Sequence, residues 1–287
     1  MKGDERKMTF FRKSRILLTK KLRKRALLWK LNIPKGKYAL IADNHGFFDV
    51  YKETVLEILD RHPDLKGIFH LGDIIGANST IDDCIHCLEF TLENHIIAIK
   101  GNHCRNLLHC DTRFKYSHRI KDFNKELNEL LKLHSDLYDR FYQFPDKIET
   151  DYFDLVHCSF YKPYYSYNGF NNEIGLMYNL ITKPVFTSHE HQFYMLSKNG
   201  IKIKKEDLKF DKDIFVIKPC VISMPTMNYS KEKHKFHHGY AILDVLDHHH
   251  LSIHAYHLDK DFINQSARIQ DIKRDVKEIM IEDIVWD

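Results

Sequence analysis

Seven side chains able to hold metal ions fall in five short motifs of the chain, each placed where an apolar run stops. The motifs read Asp43-Asn44-His45-Gly46, Gly72-Asp73, Gly101-Asn102-His103, His157 and His189-Glu190-His191. Singly they say little, because an Asp after a strand is most often a helix cap and a lone buried His most often a hydrogen-bonded core residue. Together Asp43, Asp73, Asn102, His45, His157, His189 and His191 supply two carboxylates, one amide oxygen and four imidazoles. A mixed nitrogen and oxygen set suits Mn, Fe, Zn or Ni and does not suit calcium, which takes oxygen alone. Two divalent ions fit if one carboxylate bridges them at roughly 3.5–4 Å, and Asp73 is the natural bridge. Against two carboxylates such a pair keeps a charge of about +2, which draws in a phosphate and polarises its oxygens.

The elements that must position these motifs alternate. Tyr38 to Ala42 reads as a strand ending at Asp43, followed by a helix with Tyr51, Val55, Ile58 and Leu59 on one face. Gly67 to Leu71 is the next strand, and a helix starts at Thr80, whose spacing to Asp83 is of the capping type. His95 to Lys100 is a third strand. This βαβαβ order predicts a largely parallel sheet covered by helices, with its functional groups beyond the carboxyl ends of the strands. Phe123, Leu127, Leu130, Leu133, Leu137 and Phe141 then recur at helical spacing, which predicts a helical insertion around residues 112 to 145. Tyr152 to Val156 and Pro184 to Thr187 are further strands, running into His157 and His189. From about Phe215 to His257 the pattern predicts antiparallel strands closing a second sheet, with His248, His249 and His250 at a hairpin turn. A terminal helix is expected within residues 261 to 281.

Charge is unevenly spread. Residues 1 to 37 hold 14 Lys/Arg against 2 acids, leaving 30 basic and 38 acidic residues elsewhere. The mildly acidic body argues against a groove for duplex nucleic acid. The basic segment, residues 1 to 36, reads as a helical extension with Phe11, Leu18, Leu22, Ala26 and Trp29 near helical spacing. It suits docking on the body or contact with RNA, an acidic lipid surface or an acidic protein. Residues 37 to 287 form the body. No apolar run approaches the roughly 20 residues that span a bilayer. Six cysteines without a secretory leader suit reduced thiols in a cytoplasmic setting. Cys84, Cys87, His86 and the Cys104 to Cys110 stretch offer zinc ligands, but no second cysteine pair has finger-like spacing.

Taken in order, Asp-x-His-Gly, Gly-Asp-x-x-Gly, Gly-Asn-His, a strand-terminal His and His-x-His resemble the calcineurin-like metallophosphoesterase superfamily. The resemblance covers about residues 38 to 246. Its first third, Ala39 to Gly46, Leu71 to Gly76 and Ile97 to His103, is similar to the small bacterial phosphodiesterase branch. It implies an α/β fold of two stacked mixed sheets flanked by helices, in four α/β/β/α layers. It also implies one metal ion on Asp43, His45, Asp73 and His191 and another on Asp73, Asn102, His157 and His189, with Mn²⁺ first among the candidates. The reaction implied is in-line attack of an activated water on phosphorus, with Asp73 and His103 catalytic and His103 serving the leaving oxygen.

This chain departs from that pattern at Cys104, where an Asp usually orients the histidine, and at Ser188, where glycine is usual. A thiol is the weaker hydrogen-bond partner. Ile75-Gly76-Ala77-Asn78 and Lys100 stand where the superfamily's protein phosphatases carry arginines, which argues against that activity. For substrate contacts the sequence offers Arg105 for a phosphate and the aromatic run from Phe160 to Phe170, with Tyr161 and Tyr165, for stacking on a base. His234, His237 and His238 lie near the expected site through Met227-Asn228-Tyr229. The expected function is phosphodiester hydrolysis in nucleotides or short single-stranded nucleic acid. Phosphomonoester hydrolysis and a weakly active binding scaffold are the alternatives.

Overall fold

A computed structural model of the chain describes residues 15–16, 27–77, 79–109, 118–158, 183–189, 194–197, 202–203, 214–218, 239–248, 250–257 and 277–285. In chain order the strands are β1 (Arg15–Ile16), β2 (Leu28–Leu31), β3 (Gly36–Ile41), β4 (Gly67–His70), β5 (Ile97–Ala98), β6 (Lys147–Thr150), β7 (Asp154–Val156), β8 (Val185–Phe186), β9 (Tyr194–Ser197), β10 (Lys202–Ile203), β11 (Ile214–Lys218), β12 (Gly239–Val245), β13 (His250–His257) and β14 (Lys277–Val285). The helices are α1 (Phe48–Arg61), α2 (Ile81–Glu93), α3 (Asn102–His109), α4 (His118–Leu133) and α5 (Ser135–Tyr142).

Two mixed sheets carry the site. The six-stranded one runs β14-β13-β12-β3-β4-β5, with β3, β4 and β5 parallel as the βαβαβ pattern predicts. Tyr38 to Ile41 are buried, the continuous apolar run of a strand covered on both faces. α1 buries Val50, Tyr51, Thr54, Val55 and Ile58, and closes its last turn with a Glu57–Arg61 pair. α2 starts on Thr80, whose hydroxyl accepts the Asp83 amide at 3.1 Å, with Asp82 and Asp83 at the positive end of the helix dipole. The eight-stranded sheet runs β1-β2-β6-β7-β8-β11-β9-β10, in which β7, β8 and β11 are parallel. A shared core joins the sheets. Phe69 on β4 meets Phe153 edge-on at 5.9 Å, and Phe153 meets Phe186 on β8 at 5.4 Å.

Two expectations change. Leu28–Leu31, inside the segment expected to be a basic helix, is a strand pairing in parallel with β6 from Leu28↔Lys147 to Leu31↔Thr150. A four-residue stretch cannot secure helix against a ready sheet edge, since helix nucleation is costly and each ladder bond rewards extension at once. The eight-stranded sheet therefore draws on residues before 37, and most of the rest of that segment lies outside the described residues. Second, β12 and β13 do not close the second sheet. β12 pairs antiparallel with β3, so this hairpin widens the parallel sheet, while β11 enters the other one. Lys277–Val285 is a strand against β13, and most of residues 261 to 281, within which a terminal helix was expected, lies outside the described residues. The helical run from Phe123 to Phe141 is two helices divided at His134, which leaves Leu133 exposed.

Candidate metal centre

The parallel strands of both sheets end at one place. β3 runs into Asp43 to Gly46, β4 into Gly72-Asp73 and β5 into Gly101, with α3 opening on Asn102 and His103. From the other sheet β7 runs into His157 and β8 into Ser188-His189. The loops continue the ladder beyond the strands: the Asp43 amide donates to Gly72 O at 3.0 Å, His45 to Asp73 O at 2.9 Å and Gly46 to Ile74 O at 2.7 Å. These bonds hold a strained backbone. Asp43, His45, Asp73 and His189 all adopt positive φ, at 56°, 50°, 54° and 77°. Asp and His tolerate that region better than most residues, and such strain concentrates where side chains must be aimed.

Two groups of donor atoms result. Within each, the atoms lie within 4.8 Å of one another: His45, Asp73 and His103 in one, Asp73, His157 and His189 in the other. Asp73 belongs to both. Its Oδ2 lies 3.0 Å from His157 Nε2, and its Oδ1 accepts the His103 amide at 2.8 Å at the start of α3. Asn102 Oδ1 is 2.9 Å from His157 Nε2. Asp43 stands between the groups, its Oδ1 3.9 Å from His157 Nε2 and 4.0 Å from His45 Nε2, while its Oδ2 accepts the His189 amide at 3.1 Å. The loops must approach closely for this. A Cβ on Gly101 would sit 2.0 Å from Asp73 Oδ1, and one on Gly72, at φ 101°, 2.6 Å from His157 Nδ1.

His157 is aimed from behind. Its Nδ1 donates toward Leu71 O at 2.8 Å, and Ser188 Oγ lies 2.9 Å from the same nitrogen while donating to Leu71 O at 2.8 Å. That leaves Nε2 for the pocket, the arrangement metal-ligating histidines use. Burial works to lower the His157 pKa, but the carboxylates of Asp73 and Asp43 outweigh it and lift the value to about 9. For Asp73 burial works upward, and the charges of His157, His103 and His45 hold it well below the usual carboxylate range. A buried pocket built in this way favours positive charge, and its donors are nitrogen and oxygen. The residues therefore fit divalent transition metal ions.

Compared by sequence, the chain matches no family model and no curated protein. Compared by structure, it is similar to a metallophosphoesterase from Sphaerobacter thermophilus, with a TM-score of 0.54 and 16% identity over 74% of this chain and 84% of that one. The chain has the metallophosphoesterase fold. A purple acid phosphatase from yellow lupin seeds superposes at a TM-score of 0.42 and 12% identity, over 89% of this chain and 55% of that one.

Within this metallophosphoesterase fold, six of the seven expected ligands, Asp43, His45, Asp73, Asn102, His157 and His189, converge with His103. His191, Tyr161, Tyr165, His234, His237, His238 and Met227 to Tyr229 lie outside the described residues. Arg105 is placed differently from expectation. Its guanidinium forks onto Asp146, with Nη2 to Oδ2 at 2.5 Å, and Asp146 also accepts the Leu27 amide at 2.6 Å. The bidentate pair binds α3 to the start of β6 and commits the guanidinium to the fold. Lys100 is buried as well, donating to Tyr142 O at 2.6 Å. The Cys104 thiol is buried against the backbone of Gly101, Ile74 and Ile75, and burial pushes its pKa up to about 12. Among the described residues no cysteine joins a metal-binding group. Cys84 lies 3.2 Å from Ser79 Oγ, and Cys87 Sγ takes a bond from Asn44. Among the described residues no helix is long and apolar enough to cross a membrane.

Sequence reasoning missed what stands behind the ligands, chiefly His70 and Asn44, whose side chains meet at 2.8 Å. A signal existed. Asn44 is the middle residue of Asp-x-His, and His70 is the one imidazole in the apolar run before Leu71-Gly72-Asp73.

Proposed function

We propose that this protein is a two-metal phosphoesterase that hydrolyses phosphodiesters in nucleotides or short single-stranded nucleic acid. The observation that carries the reading is the pair of donor groups sharing Asp73 at the joint carboxyl edge of both sheets. Asp43, His45, Asp73 and, from the sequence pattern, His191 would hold one ion; Asp73, Asn102, His157 and His189 would hold the other. Mn²⁺ comes first among Mn, Fe, Zn and Ni. Bound divalent ions supply Lewis acidity toward a phosphate and lower the pKa of water.

The chain's own residues supply the rest. Asp73 belongs to both donor groups, with Oδ2 toward the His157 ring and Oδ1 accepting the His103 backbone amide. His103 is half-buried, its ring edge-on to His45 at 4.8 Å, and from there it would hand a proton to the departing oxygen. Lys100 spends its ammonium on the Tyr142 carbonyl, so it is no phosphate clamp of the protein-phosphatase kind.

The test is hydrolysis of bis(4-nitrophenyl) phosphate against 4-nitrophenyl phosphate in Mn²⁺, beside metal analysis of the same sample. The expected result is about two equivalents of metal and faster turnover of the diester. Preference for the monoester would move the assignment to a phosphomonoesterase. Less than about one equivalent with no hydrolysis of either ester would leave a binding scaffold and end the enzyme reading.

A further inference from the structure

Behind the ligand loops three buried polar side chains and one backbone amide form a single line of hydrogen bonds. The Gly72 amide donates to His70 Nδ1 at 3.2 Å, which places the ring proton on Nε2. His70 Nε2 lies 2.8 Å from Asn44 Oδ1, and Asn44 Nδ2 donates to Cys87 Sγ at 3.3 Å. Each assignment requires the next: a ring that accepts at Nδ1 must donate at Nε2, so Asn44 turns its oxygen to His70 and its amide to sulfur. His70, Asn44 and Cys87 are fully buried. The Tyr51 ring braces His70 edge-on at 5.5 Å, and its hydroxyl meets Thr91 Oγ1 at 2.9 Å.

The line joins the places where aim matters most. Gly72 precedes Asp73, and Asn44 sits between Asp43 and His45, two residues held at positive φ. Backbone of that kind persists only where its surroundings over-determine it. The Asn44 side chain is an inward anchor for this loop, and His70 is the post it ties to. We propose that His70 and Asn44 are a positioning pair that sets the Asp43-Asn44-His45 loop against Gly72-Asp73 and so holds both ligand strands in register for metal. The inference rests on the metal-centre reading above.

The two hydrogen bonds of His70 can be separated by substitution. An Asn there places its oxygen near Nδ1 and keeps the Gly72 bond while falling short of Asn44; a Gln reaches the Nε2 position and keeps the bond to Asn44. Mn²⁺ affinity, measured by calorimetry, should weaken roughly 10- to 100-fold in His70→Asn and in Asn44→Leu, while His70→Gln stays within about threefold of wild type. Nitrogen-15 spectra of the metal-free protein should show His70 as the Nε2–H tautomer, with its shift altered in Asn44→Leu. Wild-type protein that binds Mn²⁺ alongside an equally tight His70→Asn variant overturns the pair and leaves the metal reading standing. Gln no better than Asn, or loss of the fold in all three variants, also overturns it as a positioning device. Wild-type protein that takes up no Mn²⁺ overturns the metal reading, and the positioning role falls with it.

Discussion

Asp73 is met by the His157 ring on one oxygen and by the His103 amide at the start of α3 on the other, so its charge is balanced before any ion arrives. His103 has a different job. Its backbone amide is engaged, while its ring edges onto His45 at a half-buried position. His103→Ala should therefore lower kcat by roughly 10²- to 10⁴-fold, the range for loss of a positioned proton donor, with near-normal metal content. Loss of metal in that variant would make His103 a ligand first and an acid second. Arg105 gives the opposite pattern. As a substrate contact, its removal would raise KM at unchanged stability; as the partner of buried Asp146, its removal strands a carboxylate and should cost roughly 3–5 kcal/mol. Arg105→Ala should accordingly lower the urea midpoint while KM for a small ester holds. A KM rise at constant midpoint would restore the phosphate role.

At the scale of elements, Lys100 ties the end of the β5 segment to the carbonyl end of α5. Burial lowers its pKa to about 8 from the 10.5 of a free lysine, against a nearby Asp146 that works to raise it. Below about pH 8 the folded and unfolded chains both hold the proton, and the cost of burying the charge is carried in full. Between there and 10.5 the unfolded chain keeps a proton that the fold has released, so stability rises with pH, by an upper limit of about 3 kcal/mol. Lys100→Met should lack this rise. The check is the difference in unfolding free energy between the two proteins across that interval, and parallel curves would refute the depressed lysine. From sequence alone Lys100 registered as a missing arginine, because a partner 42 residues away leaves no local pattern. The parallel core was legible for the converse reason. Tyr38 to Ile41 and the turn of α1 around Tyr51 and Val55 declare themselves by period, and Thr80 by its offset to Asp83. Leu28–Leu31 and Lys277–Val285 were not legible, since each is a strand only by virtue of a neighbour that comes from a distant part of the chain. Six of the candidate ligands could be picked out because each follows an apolar run, and four of the five motifs also carry a spacing of their own. The pairing behind them was not, because each of Asn44 and His70 stands out in its own motif but only the fold brings the two within 2.8 Å.

For the molecule as a whole, the centre lies where the two sheets meet. Asp43, Asp73 and Asn102 follow strands of the six-stranded sheet, and His157 and His189 follow strands of the eight-stranded one. The sheets are already joined without metal, by the Phe69, Phe153 and Phe186 rings and by Ser188 reaching Leu71 O and the His189 amide reaching Asp43. Ions shared across that seam would add to an existing fold and would not create one, unlike a zinc finger. Two consequences separate the cases. In EDTA the far-ultraviolet circular dichroism should stay native with a cooperative melt. Mn²⁺ at about 100 times its dissociation constant should then add about 2.7 kcal/mol by mass action, which raises Tm by roughly 4–5 °C for a chain of this size. Asp73→Asn, which weakens the shared carboxylate of both donor groups, should fold and melt near the metal-free temperature with no response to Mn²⁺. A chain that unfolds in EDTA would show that the metal is part of the core. An Asp73→Asn variant that still gains the full Tm increment would show that the ions bind elsewhere.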